Sequence, residues 1–197
     1  MKIWFAFGDS ITDMGYYIPT VCKETGLQGY KFGYSGYALG EDPAGYGSLS
    51  NAVNDMLISE VIPDIVTIFG GTNDFGHGGS IETMEKGLHA IITKIKSQWP
   101  ETHIMVLTPL QRNYTGISSW ETHGLGPNQI GLYMNAYVDK IIEVSEQEHV
   151  ELLDLYHTSG LTEENASEYT LDGLHPDEKY SVKLGKQIAM TIKKYFY

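Results

Sequence analysis

The chain is poor in the features that would hold it together covalently or draw it to a polyanion. Its single cysteine, Cys22, rules out an internal disulfide, which suits a reducing compartment. Cys22 falls in an apolar-patterned segment with Ile18 and Val21, so a buried structural thiol is expected. Cations are few: 13 Lys and Arg stand against 25 Asp and Glu, for a formal net charge of −12. The nearest thing to a basic run is Lys193-Lys194, at the end of an expected helix, where cations suit the macrodipole. The field as a whole therefore repels nucleic acid and anionic membranes. No apolar run approaches the ~20 residues needed to cross a bilayer. No signal peptide is visible, because Lys2 leads straight into Ile3-Trp4-Phe5-Ala6-Phe7. A cytoplasmic chain with no membrane span and no nucleic-acid partner is the expectation. The seven histidines show no His-x-x-x-His or similar ligand spacing, so no metal is expected. Repeats, low-complexity tracts and interdomain linkers are also missing. With 197 residues, 42% hydrophobic and 19% charged, residues 1–197 read as one domain able to bury a sizeable core.

What is present is an alternation of short apolar runs and amphipathic stretches. Lys2–Phe7, Tyr30–Tyr34, Asp64–Phe69, His103–Thr108 and Val150–Leu155 read as strands. The first, third and fourth carry near-continuous apolar cores (IWFAF, IVTIF, IMVL), as parallel strands covered on both faces do. Ser80 can cap a helix carrying Ile81, Met84, Leu88, Ile91, Ile92 and Ile95 at helical spacing, stopped by Pro100. Further helices are expected over Asn128–Gln147, about Asp177–Phe196 and about Ser48–Val61, and another within Met14–Thr25, where Pro19 starts or kinks it. Such an alternation implies right-handed crossovers and a three-layer α/β/α sandwich. For five parallel strands the flavodoxin-like order 2-1-3-4-5 is expected, with ligands bound at the carboxyl ends of the strands beside the switch point. That rule, which uses no motif, falls on Ser10 after strand 1, Ser35-Gly36 after strand 2 and Asn73 after strand 3. Gly36–Gly47 and Pro109–Pro127 are irregular stretches long enough to be functional.

Three short words sit where apolar runs stop: Gly8-Asp9-Ser10, Gly71-Thr72-Asn73-Asp74 and Asp172-Gly173-Leu174-His175. Each alone has an ordinary reading, as a helix N-cap at Ser10, a turn at Asn73 and a solvated loop histidine at His175. Together they supply a hydroxyl nucleophile, a side-chain amide donor, and a histidine with a carboxylate three residues before it. Those are the parts of a serine hydrolase site. Strands 1 and 5 would lie roughly 14 Å apart. The sixteen-residue connection Tyr156–Leu171, at about 3.3 Å per extended residue, is ample to carry His175 back to Ser10.

The chain resembles the SGNH (GDSL-type) hydrolase family over nearly its whole length. Gly8-Asp9-Ser10-Ile11-Thr12 resembles the nucleophile motif, with Ile in place of Leu. Gly71-Thr72-Asn73-Asp74 and Asp172-Gly173-Leu174-His175 resemble the asparagine motif and the closing Asp-x-x-His motif. Tyr34-Ser35-Gly36 resembles the glycine motif; Gly33 and Gly40 lie nearby, and Gly36 is preferred because it completes a Ser-Gly pair. The resemblance implies that Ser10 attacks an acyl carbonyl, with His175 as base and then acid and Asp172 orienting it. It also implies an oxyanion hole from the Ser10 and Gly36 N–H groups and the Asn73 side chain, with no cofactor and no metal.

The acyl group is less legible. No strongly apolar loop suggests a long-chain lipase. Tyr34, Tyr37, Tyr46, Tyr114 and Trp120 near the expected site suit sugars as well as acyl chains. The expectation is a short acyl group, most simply acetyl, on a carbohydrate or glycoconjugate. A lysophospholipase or thioesterase is the alternative within the same chemistry, and a non-catalytic carbohydrate-binding module is the alternative outside it. Arg112, His77 and His123 are further residues able to line the site. Oligomeric state is not readable.

Overall fold

A computed structural model describes residues 1–114 and 126–196. Five parallel strands form one sheet in the order β2-β1-β3-β4-β5. They are β1 (Ile3–Gly8), β2 (Gln28–Gly33), β3 (Ile65–Phe69), β4 (His103–Leu107) and β5 (Glu151–Leu153). The expected order and class are those observed. β1 and β3 are buried along almost their whole length, as their unbroken apolar runs require. Their register, Trp4 beside Ile65 through Gly8 beside Phe69, ends both strands level with each other. β2 ends at Gly33, level with Gly8. Three adjacent strands thus deliver their following residues to one edge of the sheet.

Helices cover both faces. α3 (Leu49–Leu57), α5 (Ile81–Gln98) and α6 (Met134–Gln147) bury Val53, Met84, Leu88, Ile91 and Ile141 against Phe5, Phe7, Val66 and Ile68. On the other face, α2 (Ile18–Thr25) and α9 (Glu178–Phe196) bury Val21, Leu184, Ile188 and Ile192 against Trp4, Ala6 and Ile65. Each fully buried large apolar side chain is worth roughly 1.5–3 kcal/mol over leaving it in water. The indole N–H of Trp4, buried in the sheet, is satisfied by Thr67 Oγ1 at 3.0 Å.

Several boundaries differ from the sequence expectations. α6 starts at Met134, not Asn128. The Asn128 side chain accepts the N–H groups of Ile130 and Leu132, and Gly131 takes φ +81°, so this stretch closes as a turn and leaves Ile130 and Tyr133 exposed. Residues 10–25 hold two helices. α1 (Ser10–Met14) ends at the left-handed Gly15, and α2 carries Pro19 in its first turn, where its missing N–H costs nothing. Cys22 is only partly buried, against the expectation of a buried thiol. Four short helices escape periodicity altogether: α1, α4 (Thr72–Gly76), α7 (Leu155–Thr158) and α8 (Ala166–Tyr169). The last two occupy the connection that carries the chain from β5 to His175. Among the described residues, no helix is long and apolar enough to cross a membrane.

Candidate active site

β1 runs into α1 through Asp9, and Asp9 is the helix cap: its carboxylate accepts the Ile11 N–H at 3.0 Å. Ser10 is therefore the first residue of the helix and its hydroxyl is left for other work. Its Oγ lies 2.8 Å from His175 Nε2. His175 Nδ1 lies 2.7 Å from Asp172 Oδ2, and Asp172 Oδ1 accepts the backbone N–H groups of His175 and Leu174 at 2.8 and 3.0 Å. Partial burial opposes ionisation of Asp172. The hydrogen bonds from the His175 ring and backbone outweigh it and hold the carboxyl below its ordinary range. A carboxylate at Nδ1 keeps the proton there and leaves Nε2 as the acceptor facing a hydroxyl.

The loop bearing this pair is fastened at three points. Leu171 N–H donates to His175 O, Gly173 N–H donates to Thr170 Oγ1, and Asn113 N–H donates to Gly173 O. Gly173 has φ +88°, and a β-carbon there would stand 1.9 Å from Asn113 O. Only glycine allows that approach.

Asn73 sits in α4, immediately after β3. Its Nδ2 donates one N–H to Tyr37 O at 2.8 Å; the amide has a second N–H to offer. Gly36 follows β2 with φ +81°, again a left-handed residue. Ser10, Gly36, Asn73 and His175 all line one open cleft of about 370 Å³, with Met14, Ser35, Tyr46, His77, Tyr114 and Leu174. Neither the Ser10 nor the Gly36 N–H donates a hydrogen bond to the described residues. Gly33 and Gly40, the other candidates, pack against the backbone of Asp13 and Thr83 instead. Ser10, Gly36, Asn73 and His175 are thus brought to one place, with Asp172 behind His175.

The model of the GDSL-like lipase/acylhydrolase family matches residues 6–180. The chain belongs to that family. It is accordingly an acyl hydrolase acting on ester bonds. The fold is shared with solved structures at low identity. A carbohydrate acetylesterase from Sinorhizobium meliloti has 17% identity and a TM-score of 0.77, with 100% of each chain covered. An aryl esterase from M. smegmatis, in inhibitor-bound form, has 16% identity and a TM-score of 0.76, covering 98% of this chain and 99% of that one. A possible lipase from Chitinophaga pinensis has 19% identity and a TM-score of 0.80, with 98% of each chain covered. No curated protein matches the sequence.

Around this GDSL-type site stand groups that the sequence did not assign. Asp74, fully buried, accepts the Leu39 and Gly40 N–H groups at 2.8 and 3.1 Å, so the residue after Asn73 anchors the loop after Gly36. Burial pushes its carboxyl above the ordinary range, against the pull of those two bonds. Asp9 is fully buried too, and burial pushes its carboxyl up to about 7. Arg112, one of the residues able to line the site, does not line the cleft. It is fully buried behind α4, where Nη1 donates to Thr72 O and Oγ1 at 3.1 and 3.0 Å and the guanidinium lies over the Phe75 and Tyr114 rings. The Tyr114 ring stands edge-on to His175, with centroids 6.3 Å apart. His77 does line the cleft, paired with Asp42. Trp120 and His123 lie outside the described residues. Among the described residues no three His, Cys, Asp or Glu side chains cluster as metal ligands.

Proposed function

We propose that this acyl hydrolase is a serine esterase for short acyl groups, acting on O-acetyl esters of a carbohydrate or glycoconjugate. The observation that carries the reading is the 2.8 Å approach of Ser10 Oγ to His175 Nε2 at the floor of a small open cleft. In this mechanism Ser10 Oγ attacks the acyl carbonyl while His175 Nε2 takes its proton. The carbonyl oxygen, now negative, accepts from the Ser10 and Gly36 N–H groups and the second N–H of Asn73. His175 then returns the proton to the leaving alcohol oxygen, and water repeats the sequence on the acyl-enzyme. Asp172 stabilises the imidazolium in between. The steps need neither metal nor cofactor.

The short-acyl reading rests on the size of the cleft and on its mixed lining, in which Tyr46 and Tyr114 stand with Ser10, Ser35 and Asn73. The S. meliloti neighbour, described as a carbohydrate acetylesterase, supports it by analogy of fold. A partner set of small or carbohydrate esters, without nucleic acid, fits the net charge of −12. The test is hydrolysis of p-nitrophenyl esters of increasing chain length, with acetylated sugars alongside. Acetate should be the best of the series, and Ser10→Ala should lose all turnover and all labelling by a fluorophosphonate probe. An octanoate preference would overturn the short-acyl reading, and full activity of Ser10→Ala would overturn the mechanism.

A further inference from the structure

Beside the cleft, with His77 in its lining, stands a second carboxylate–imidazole couple, which the mechanism above does not use. His77 Nδ1 lies 2.9 Å from Asp42 Oδ1, and both side chains are almost fully enclosed, at 3% and 1% exposure. His77 is one helical turn beyond Asn73. Asp42 comes from the loop after Gly36. Its carboxylate is the hub of that loop, since Oδ1 accepts the Ala44 N–H at 3.0 Å and Oδ2 accepts those of Tyr46 and Gly47 at 2.7 and 3.4 Å. A loop closed on one side chain in this way holds its backbone rigidly.

Its product is the placement of Tyr46. The ring stacks on the His77 imidazole, with centroids 5.4 Å apart and an interplanar angle of 29°. It also lies against Gly36, where a β-carbon would stand 3.1 Å from the ring. Yet Tyr46 remains 54% exposed. It is an aromatic side chain fixed by an anchored backbone and a stacked imidazole, and it lines the cleft. The leaving alcohol has to sit at His175, which protonates it, beside Leu174 and Tyr114. The acyl substituent is left with the wall made by Gly36, Tyr46 and His77.

We propose that Tyr46 is the wall that limits the length of the acyl group, and that Asp42 and His77 are the positioning residues that hold it there. The proposal rests on the short-acyl reading and extends it, because it names the part of the chain that sets the limit. Hydrophobic subsites discriminate single methylene groups by about 10-fold or more, so removal of such a wall should be visible in a chain-length series.

The test measures kcat/KM for p-nitrophenyl acetate, butyrate and hexanoate. The hexanoate-to-acetate ratio should rise on the order of 10-fold in Tyr46→Ala and fall in Tyr46→Trp, which enlarges the wall. Tyr46→Phe should keep the wild-type ratio, since the ring and not the hydroxyl forms the wall. Asp42→Ala and His77→Gln should move the ratio in the same direction as Tyr46→Ala. The double variant Asp42→Ala/Tyr46→Ala should move it no further than Tyr46→Ala alone, because a positioning residue has nothing left to position. A uniform loss of activity at all three lengths in Tyr46→Ala would overturn the wall, and additive ratio changes in the double variant would overturn the positioning role. If Tyr46→Ala does not fold, an unchanged ratio in Tyr46→Trp overturns the wall by itself. The wild-type preference is a separate readout: a wild type that favours hexanoate sinks the short-acyl reading, while the ratio changes between variants judge the wall independently.

Discussion

Ser10 Oγ and His175 Nε2 are 2.8 Å apart, although 165 positions separate them in the chain. One opens the helix after β1; the other lies three residues before α9. No local pattern creates this distance. It is made by the sheet order at one end and by the fastened loop at the other. The loop's geometry rests on Asp172, which serves ring and backbone together, and on the close approach of Gly173 to Asn113.

Asp172→Asn separates these two services. The amide oxygen can still accept the Leu174 and His175 N–H groups, so the loop should hold and stability should change by less than about 1 kcal/mol. The amide nitrogen then faces Nδ1 and forces the proton onto Nε2, where it blocks the serine. Turnover should fall by roughly 10³–10⁴. A steady-state assay with a thermal melt checks both halves; unaltered kcat would show that the carboxylate does not set the tautomer.

Asn73→Ala should lower kcat by about 10²–10³, the usual cost of one oxyanion donor, with little change in KM. An effect confined to KM would instead make Asn73 a ground-state binding residue.

Arg112 reaches the site through α4 and the Tyr114 ring. Arg112→Met removes the donors to Thr72 and leaves its buried carbonyl short of a partner, which should cost about 1–3 kcal/mol of stability. Asn73 is the next residue, so kcat should fall by an order of magnitude or so, as displaced positioning groups cause. Arg112→Lys keeps the charge but not the planar fork and should restore only part of the rate. Equal rates in all three proteins would reduce Arg112 to packing.

Asp9 gives a pH signature. Its carboxyl titrates at about 7 in the fold against 3.8 as an unperturbed group, because burial disfavours the charge more than the Ile11 N–H and the His175 and Arg112 charges favour it. Below pH ~4 both folded and unfolded chains hold the proton. Between there and pH ~7 the folded chain keeps a proton that the unfolded chain has lost, so this group's contribution falls as pH rises. Asp9→Asn can still cap α1 but has nothing to titrate. Its stability relative to the wild type should grow from pH 4 to 7 by up to about 4 kcal/mol and then level off. Urea unfolding of both proteins across that range checks it, and a pH-independent difference would be the contrary result.

The fold was legible where one physical signal dominated. Continuous apolar runs in β1 and β3 follow from burial on both faces, and the sheet order follows from strands alternating with amphipathic helices. Signals failed where side chains competed with backbone for hydrogen bonds. Asn128 closes a turn inside an apolar pattern that otherwise suits a helix, and Asp9 caps the helix that serine was equally fit to cap. The candidate site was legible through its three words because each ends a strand. Its supports were not. Asp42 and His77 are 35 positions apart, and each looks like an ordinary loop residue. The density of carboxylate-closed turns in Asp42-Pro43-Ala44-Gly45-Tyr46-Gly47 was the available clue. Arg112 gave no signal at all, since nothing in its neighbourhood distinguishes a cleft-facing arginine from one buried behind a helix.

The strand order also has a consequence for biosynthesis. Everything that would cradle the substrate carbonyl is encoded before residue 80, while the base that would turn the cradle into an enzyme comes at position 175, in a loop fastened to Thr170, Asp172 and Asn113. A ribosome making this chain at roughly 5–20 residues per second therefore spends several seconds with the binding half exposed and chemically silent. Turnover has to wait until the segment carrying Asp172 and His175 closes on Ser10. Ester hydrolysis thus reports the arrival of His175 at Ser10, and release of a chromogenic alcohol would time that step without any label on the protein.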